Sequence, residues 1–186
     1  MKKVLDILLS FVCIMVFLVP MLLISVAICL TSKGPFIYWS DRVGKDNSIF
    51  KMPKFRTMKV DTPTEATHLL SDSRQYLTPI GSFLRKSSLD ELPQLWSILI
   101  GDMSFVGPRP ALFNQDDLIA LRTQYGVDKL LPGLTGWAQV NGRDELSIPV
   151  KVQYDLEYLQ RQSFGFDMKI LGLTFLNVVR RVGVSH

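Results

Sequence analysis

Between Ile7 and Leu30 the chain carries no charged residue, and Ser10, Pro20 and Ser25 interrupt an otherwise apolar run. A straight helix over these 24 residues extends about 36 Å, enough for a hydrocarbon core of about 30 Å. Pro20 removes one backbone hydrogen bond near its middle and crowds the preceding turn, which predicts a kink there. Basic residues flank both ends, Lys2 and Lys3 before the run and Lys33, Arg42 and Lys45 after it. Such flanks pull both ends to the cytoplasmic side. Two forms remain open: a bent spanning helix, and a helix-break-helix that dips into one leaflet and returns. The run exceeds the apolar part of a cleaved signal peptide, and no small-x-small cleavage site follows it.

Beyond Lys33, two short runs rich in β-branched and aromatic residues flank the polar stretch Gly44 to Asn47 and predict a β-hairpin. Residues 61–79 are polar with turn residues at both ends, a surface excursion with a short helix in which His68 is expected to be solvated. A helix is expected from the acids at 90 and 91 to about Ile100, and another over Asn114 to Tyr125 opened by an asparagine cap. The segment LLPGLTGWAQVNGR reads as turn, short strand and turn. Apolar residues recur at helical spacing from Ile148 to Phe164 and from Phe166 to Val182. The second of these carries Lys169, Arg180 and Arg181 and fits a helix lying on headgroups, although a core face or a contact with a second copy has the same period.

A chain of 186 residues suffices for one domain with a real core. Both cysteines, Cys13 and Cys29, fall inside the apolar run and read as small hydrophobes rather than as a disulfide or metal ligands. Net charge is +4, and the part beyond residue 30 keeps 19 basic against 16 acidic residues. That balance is too mild for a nucleic-acid partner but suits anionic headgroups and phosphate-bearing substrates.

The chemistry-bearing stretch is SLDELPQLWSILIGDMSFVGPRP, from Ser88 to Pro110. Ser88 and Glu91 have the spacing of a capping box. Pro93 argues for a helix that starts at Leu89 or Asp90 instead, where the missing N–H is not needed. A helix start stabilises carboxylates, and two adjacent acids can also share a divalent metal beside a phosphate. Capping and chemistry both stay open on this pattern. Lys54, Arg56, Arg85, Arg109 and Arg143 lie near glycine or proline, and Pro108 and Pro110 flank Arg109. Arginine forks bind phosphate oxygens bidentately, and rigid backbones hold them at low entropic cost; a solvated charge or structural ion pair is the alternative at each. The standard nucleotide-loop, zinc and serine-hydrolase motifs are absent from the sequence.

Four blocks in order, KFRTM (54–58), SLDELPQLWSILIGDMSFVGPRP (88–110), PGLTGWAQVNGR (132–143) and FDMKILGLTFLNVVRRVGVS (166–185), follow a proline-interrupted apolar helix. Together they resemble the monotopic phosphoglycosyl transferases of bacterial glycoconjugate initiation, over nearly the whole chain. The resemblance implies an α+β, predominantly helical fold: a re-entrant membrane helix over 1–32, then a catalytic domain over 33–186 with a small β-hairpin and amphipathic helices at the membrane interface. It implies an enzyme on the cytoplasmic face of the bacterial inner membrane that moves a sugar phosphate from a UDP-sugar to undecaprenyl phosphate and releases UMP. It further implies that Asp90 forms a covalent phosphosugar intermediate, and that Glu91 helps Asp90 hold Mg²⁺. Lys54, Arg56, Arg85, Arg109 and Arg143, with Pro108 and Pro110 shaping the turn, would serve the diphosphate or nucleotide. Pro20 would make the membrane bend, and Lys3 with Asp6 resembles a basic-x-x-acid anchor.

Three departures limit the transfer. Val19 stands where a serine commonly precedes the proline, Leu131 replaces a frequent basic residue, and RDELSI lacks a tryptophan that some relatives carry. Asp155 and Asp167 match family acids but sit among helical apolar residues, and structural roles are expected for both. An aspartate-dependent phosphohydrolase and an inert membrane scaffold are the competing functions.

Overall fold

The computed structural model describes residues 2–62, 73–142 and 146–180. His68, most of the excursion expected over 61–79, and Arg143 lie outside the described residues. Helix α1 (Lys2–Thr31) runs for 30 residues with Pro20 inside it. Ser10 and Ser25 return their hydroxyls to Ile7 O and Met21 O at 3.0 and 2.8 Å, which satisfies them within an apolar helix. The helix is long and apolar enough to cross a membrane. Most of its surface is exposed hydrocarbon, including Val4, Leu8, Phe11, Met15, Val19, Leu23 and Leu30.

Both ends of α1 are held by the rest of the chain. At the start, Lys2 Nζ donates to Asp167 Oδ2 at 2.5 Å, to Val106 O at 3.0 Å and to Tyr158 Oη at 3.0 Å. Asp6 accepts from Ser104 Oγ at 2.8 Å. The tethered lysine is therefore Lys2, and the partner of Asp6 is a serine rather than Lys3. Cys13 and Ile14 pack against the main core, while Met21, Ile24 and the fully buried Ile28 pack against Phe55 and Leu84. At the end of α1, the Arg56 guanidinium donates to Ser32 O, Ser32 Oγ, Lys33 O and Gly34 O. Gly34 sits at φ +105°, and a Cβ there would meet Arg56 Nη1 at 2.3 Å, so this clasp requires glycine.

The hairpin is as the pattern predicts. Strands β1 (Ile37–Val43) and β2 (Ile49–Phe55) pair antiparallel around the polar turn, with Asp46 and Asn47 at positive φ. Pro53 is tolerated because a two-stranded ribbon leaves an open edge. The polar excursion ends in a 3₁₀ turn at Ser73–Tyr76, followed by the short helix α2 (Gly81–Lys86). Helix α3 (Gln94–Ile100) leads into β3 (Ser104–Val106), which pairs in parallel with β4 (Gly133–Thr135). Between these strands lies α4 (Asp116–Gln124), preceded by Gln115 without a side-chain cap, so the expected asparagine cap is not formed. After β4 the chain forms α5 (Trp137–Val140), where a turn was expected, then α6 (Ile148–Arg161) and α7 (Phe164–Arg180).

Met52, Leu95, Ile98, Met103, Phe105, Tyr158 and Ile170 form the main core between the hairpin, α3, β3 and the last two helices. Asp155 on α6 is 1% exposed and pairs with Arg122 on α4, while Asp167 holds Lys2 and Tyr158. Both acids are structural, as their helical surroundings predict.

Candidate active site

Asp90 and Glu91 lie in a 3₁₀ turn (Leu89–Glu91) upstream of α3, not inside an α-helix. Ser88 adopts φ +56°, left-handed backbone, and makes no side-chain cap. The Glu91 amide donates to Ser88 O at 3.2 Å, so the capping box is not formed and the serine hydroxyl leaves the turn to its backbone. Pro93 precedes the first residue of α3, which explains the late start: its missing N–H falls where no intrahelical donor is needed.

The turn aims Glu91 at two cations. Glu91 Oε1 accepts from Lys54 Nζ at 3.1 Å and from Arg109 Nη2 at 3.2 Å. Lys54 arrives from β2 and Arg109 from the Pro108-Arg109-Pro110 turn that follows β3. Burial alone would raise the Glu91 carboxyl, but the combined charge and hydrogen bonds of Lys54 and Arg109 hold it well below the ordinary range. Asp90, 8% exposed, is pushed up to about 6 by burial and then by the charge of Glu91, against Lys54, Arg85 and Arg109. Burial also lowers Lys54, with Glu91 working in the opposite direction. Two adjacent acids thus hold different charge states just below neutral pH, the separation that assigns different roles to a carboxylate pair.

The other predicted residues divide. Arg85 on α2 donates through Nε to Thr57 Oγ1 at 3.0 Å and acts electrostatically on Asp90. Pro108 O accepts from the Gly133 amide at 2.8 Å, and Pro110 O accepts from Arg42 Nη1 at 3.2 Å, so the turn bearing Arg109 is pinned to β4 and β1. Arg56 directs its guanidinium into the clasp at the end of α1. Pro20 lies in α1, between the residues that pack on the two cores. Arg42 was missed by sequence reasoning, although the turn at 44–47 fixes the register: Arg42 pairs with Phe50 and Tyr38 with Lys54, so Arg42 and Lys54 share one face of the ribbon.

Among the described residues no group of three or more histidine, cysteine or acidic side chains is arranged to hold a metal by itself. The acid pair still fits a hard cation. Burial leaves Asp90 short of compensating charge, and Mg²⁺ is commonly bound by one or two carboxylates with substrate phosphates and water completing its shell. Lys54, Arg85 and Arg109 outnumber the two acids, so the site has positive charge to offer a diphosphate.

A family model described as bacterial sugar transferase matches residues 1–181. The chain belongs to the bacterial sugar transferase family. It is 38% identical over 181 residues to the UDP-glucose:undecaprenyl-phosphate glucose-1-phosphate transferase of Escherichia coli (strain K12), covering 94% of this chain and 39% of that protein. It is 32% identical to the UDP-N-acetylgalactosamine-undecaprenyl-phosphate N-acetylgalactosaminephosphotransferase of Aeromonas hydrophila, covering 98% of this chain and 44% of that protein. The uncharacterized sugar transferase EpsL of Bacillus subtilis (strain 168) is 38% identical over 168 residues and is covered over 81% of its length. The chain thus spans less than half the length of the first two relatives and most of the third. The family's members differ in the sugar they are named for, while the nucleotide and lipid carrier named are common to the first two.

Proposed function

We propose that this chain transfers a sugar phosphate from a UDP-sugar to undecaprenyl phosphate, with a covalent phosphosugar on Asp90 as intermediate. The observation that carries the proposal is the unequal acid pair. Glu91 is locked as an anion by Lys54 and Arg109, while its neighbour Asp90 is buried, raised to about 6 and tied to no cation by an ion pair among the described residues. A carboxylate of that kind is ionised at neutral pH yet poorly compensated, which suits a nucleophile.

In the first step an Asp90 carboxylate oxygen attacks the β-phosphorus of the UDP-sugar. The bond from that phosphorus to the bridging oxygen breaks, and UMP leaves with the electron pair. In the second step a phosphate oxygen of the polyprenyl phosphate attacks the same phosphorus, the bond to Asp90 breaks, and the carboxylate is restored. Lys54, Arg85 and Arg109, joined by Arg143, would hold the diphosphate oxygens and offset the charge that gathers in both displacements. Asp90 and Glu91 would hold Mg²⁺, which supplies charge neutralisation at the diphosphate.

The membrane part of the reading is supported by the two ends of α1. Lys2 meets Asp167, and Ser32 meets Arg56, so one domain grips both ends of a helix whose middle is exposed hydrocarbon. These contacts support our reading of a monotopic arrangement, with α1 sunk in one leaflet and the domain on the cytoplasmic face of the bacterial inner membrane. Exposed Phe164, Met168, Phe175 and Leu176 on α7 extend the apolar surface.

Intact-protein mass spectrometry in detergent, with Mg²⁺ and a panel of UDP-sugars but no polyprenyl phosphate, tests the proposal. A mass increase equal to a phosphosugar, absent in Asp90→Asn, is expected. An adduct that persists in Asp90→Asn would overturn the assignment of the nucleophile.

A further inference from the structure

We infer that Arg122, held by Asp155, is a positioning residue for Arg109; the inference rests on the proposed reading of Arg109 as a diphosphate contact. Arg122 on α4 is 8% exposed and Asp155 on α6 is 1% exposed. The Arg122 guanidinium serves two acceptors at once. Its Nε and Nη2 donate to Asp155 Oδ2 at 3.0 and 2.7 Å, and its Nη1 donates to the carbonyl oxygen of Arg109 at 2.8 Å. The buried pair therefore ends on the backbone of the residue whose side chain meets Glu91.

That contact controls the one soft torsion of the turn. Pro108 and Pro110 have fixed φ, and the residue before a proline is confined to extended ψ. What freedom remains at Arg109 is its φ, which swings the plane that carries its carbonyl, and the Arg122 bond fixes where that carbonyl points. The flanking carbonyls are fixed separately, Pro108 O by the Gly133 amide and Pro110 O by Arg42. Without Arg122 the mount is held at its edges and loose at its centre. The Arg109 side chain, 37% exposed and bonded to Glu91 through one nitrogen, then loses its aim.

The choice of arginine follows from the same geometry. A planar fork with donors on three nitrogens reaches a carboxylate and a carbonyl in different directions, whereas a lysine is a single point of charge. Stability alone does not call for the pair, because apolar residues of similar volume replace buried ion pairs at little cost.

The test uses the full chain in detergent with Mg²⁺, the UDP-sugar panel and polyprenyl phosphate, reading kcat/KM from UMP release. Arg122→Lys is made in the native background and again with Arg109→Ala; Asp155→Asn serves as the second variant. We expect Arg122→Lys to lower kcat/KM about tenfold in the native background and by less than about twofold once Arg109 is alanine. An equal loss in both backgrounds means Arg122 acts through general packing, and overturns the inference. Hydrogen–deuterium exchange over residues 107–112 gives a readout independent of turnover. Faster exchange there in Arg122→Lys, with the β1–β2 hairpin unchanged, is expected, and unchanged exchange overturns the inference. A native protein that releases no UMP from any donor counts against the proposed function, and the exchange result then decides the inference alone.

Discussion

Lys54 Nζ stands 3.1 Å from Glu91 Oε1, and this contact, with that of Arg109, separates Glu91 from the buried acid beside it. Glu91 shares its charge with Lys54 and Arg109 and stays ionised far into acid, whereas Asp90, one residue earlier, is raised to about 6. Role assignment within the pair therefore lies in which side chain the 3₁₀ turn points at the cations.

Asp90→Asn should abolish both the covalent adduct and turnover while leaving the fold as stable or more so. A carboxyl raised from its ordinary value contributes stability that is full below the unfolded pKa of about 4 and is lost as pH rises through about 6. Asparagine removes that loss. The melting temperature of Asp90→Asn should match the native protein near pH 4 and exceed it above pH 7, by on the order of 1–2 kcal/mol in stability. A variant less stable than the native protein at pH 8 would contradict the origin of the shift in burial.

The same ionisation governs rate. A nucleophilic Asp90 must be deprotonated, so kcat/KM for the donor should rise with pH through about 6 and level off above it. One unit below that midpoint the rate should be about tenfold lower than on the plateau. A profile flat from pH 5 to 8 would remove Asp90 from the first step.

Glu91→Gln should behave in the opposite sense to Asp90→Asn. The amide keeps the volume but leaves Lys54 and Arg109 without their anion in a site where the Lys54 side chain is only 16% exposed. A loss of roughly 1–3 kcal/mol is expected. The lowered pKa places that contribution above the ordinary glutamate range, to be lost only as pH falls well below it. Chemical denaturation at pH 7 measures the loss, with turnover falling alongside.

Arg56 and Lys54 separate a structural cation from a candidate phosphate-binding one in the same KFRTM block. The Arg56 donors go to Ser32 and to the carbonyls of Lys33 and Gly34. Arg56→Lys should cost about 1–2 kcal/mol in stability and leave the KM for the UDP-sugar unchanged, whereas Lys54→Ala should alter turnover directly. A several-fold rise in KM with stability intact would return Arg56 to the donor site.

The sequence pattern located the hairpin, the acid pair and the two long C-terminal helices because each has a local signal: a polar turn between β-rich runs, a proline after two acids, an apolar period of 3.6. It missed what depends on partners far along the chain. The parallel pairing of β3 with β4 joins Ser104 to Gly133 and leaves no local period in strands of three residues. The capping box at Ser88 failed because the residue took left-handed backbone, next to Leu89 and Leu92, which pack against the cluster of Ile28, Phe55 and Leu84 far along the chain. The Lys2 tether lost to the Lys3–Asp6 spacing for the same reason, since Asp167 lies 165 residues away.

That tether leads to the last prediction, on topology. Lys2 and Arg56 fix opposite ends of α1 to one domain, so single cysteines at exposed positions 3 and 33, introduced after Cys13 and Cys29 are changed to serine, should both react with an impermeant maleimide from the cytoplasmic side. Labelling of the two sites from opposite sides would mean that α1 crosses the bilayer and that the contacts at one end are broken in the membrane. Pro20→Ala should leave the pattern unchanged. The helix is already continuous through Pro20, and the ion pair at one end and the four hydrogen bonds at the other hold the ends more firmly than the roughly 3 kcal/mol that removing a mid-helix proline returns to a straight helix. Loss of same-side labelling in Pro20→Ala alone would instead assign the topology to the proline.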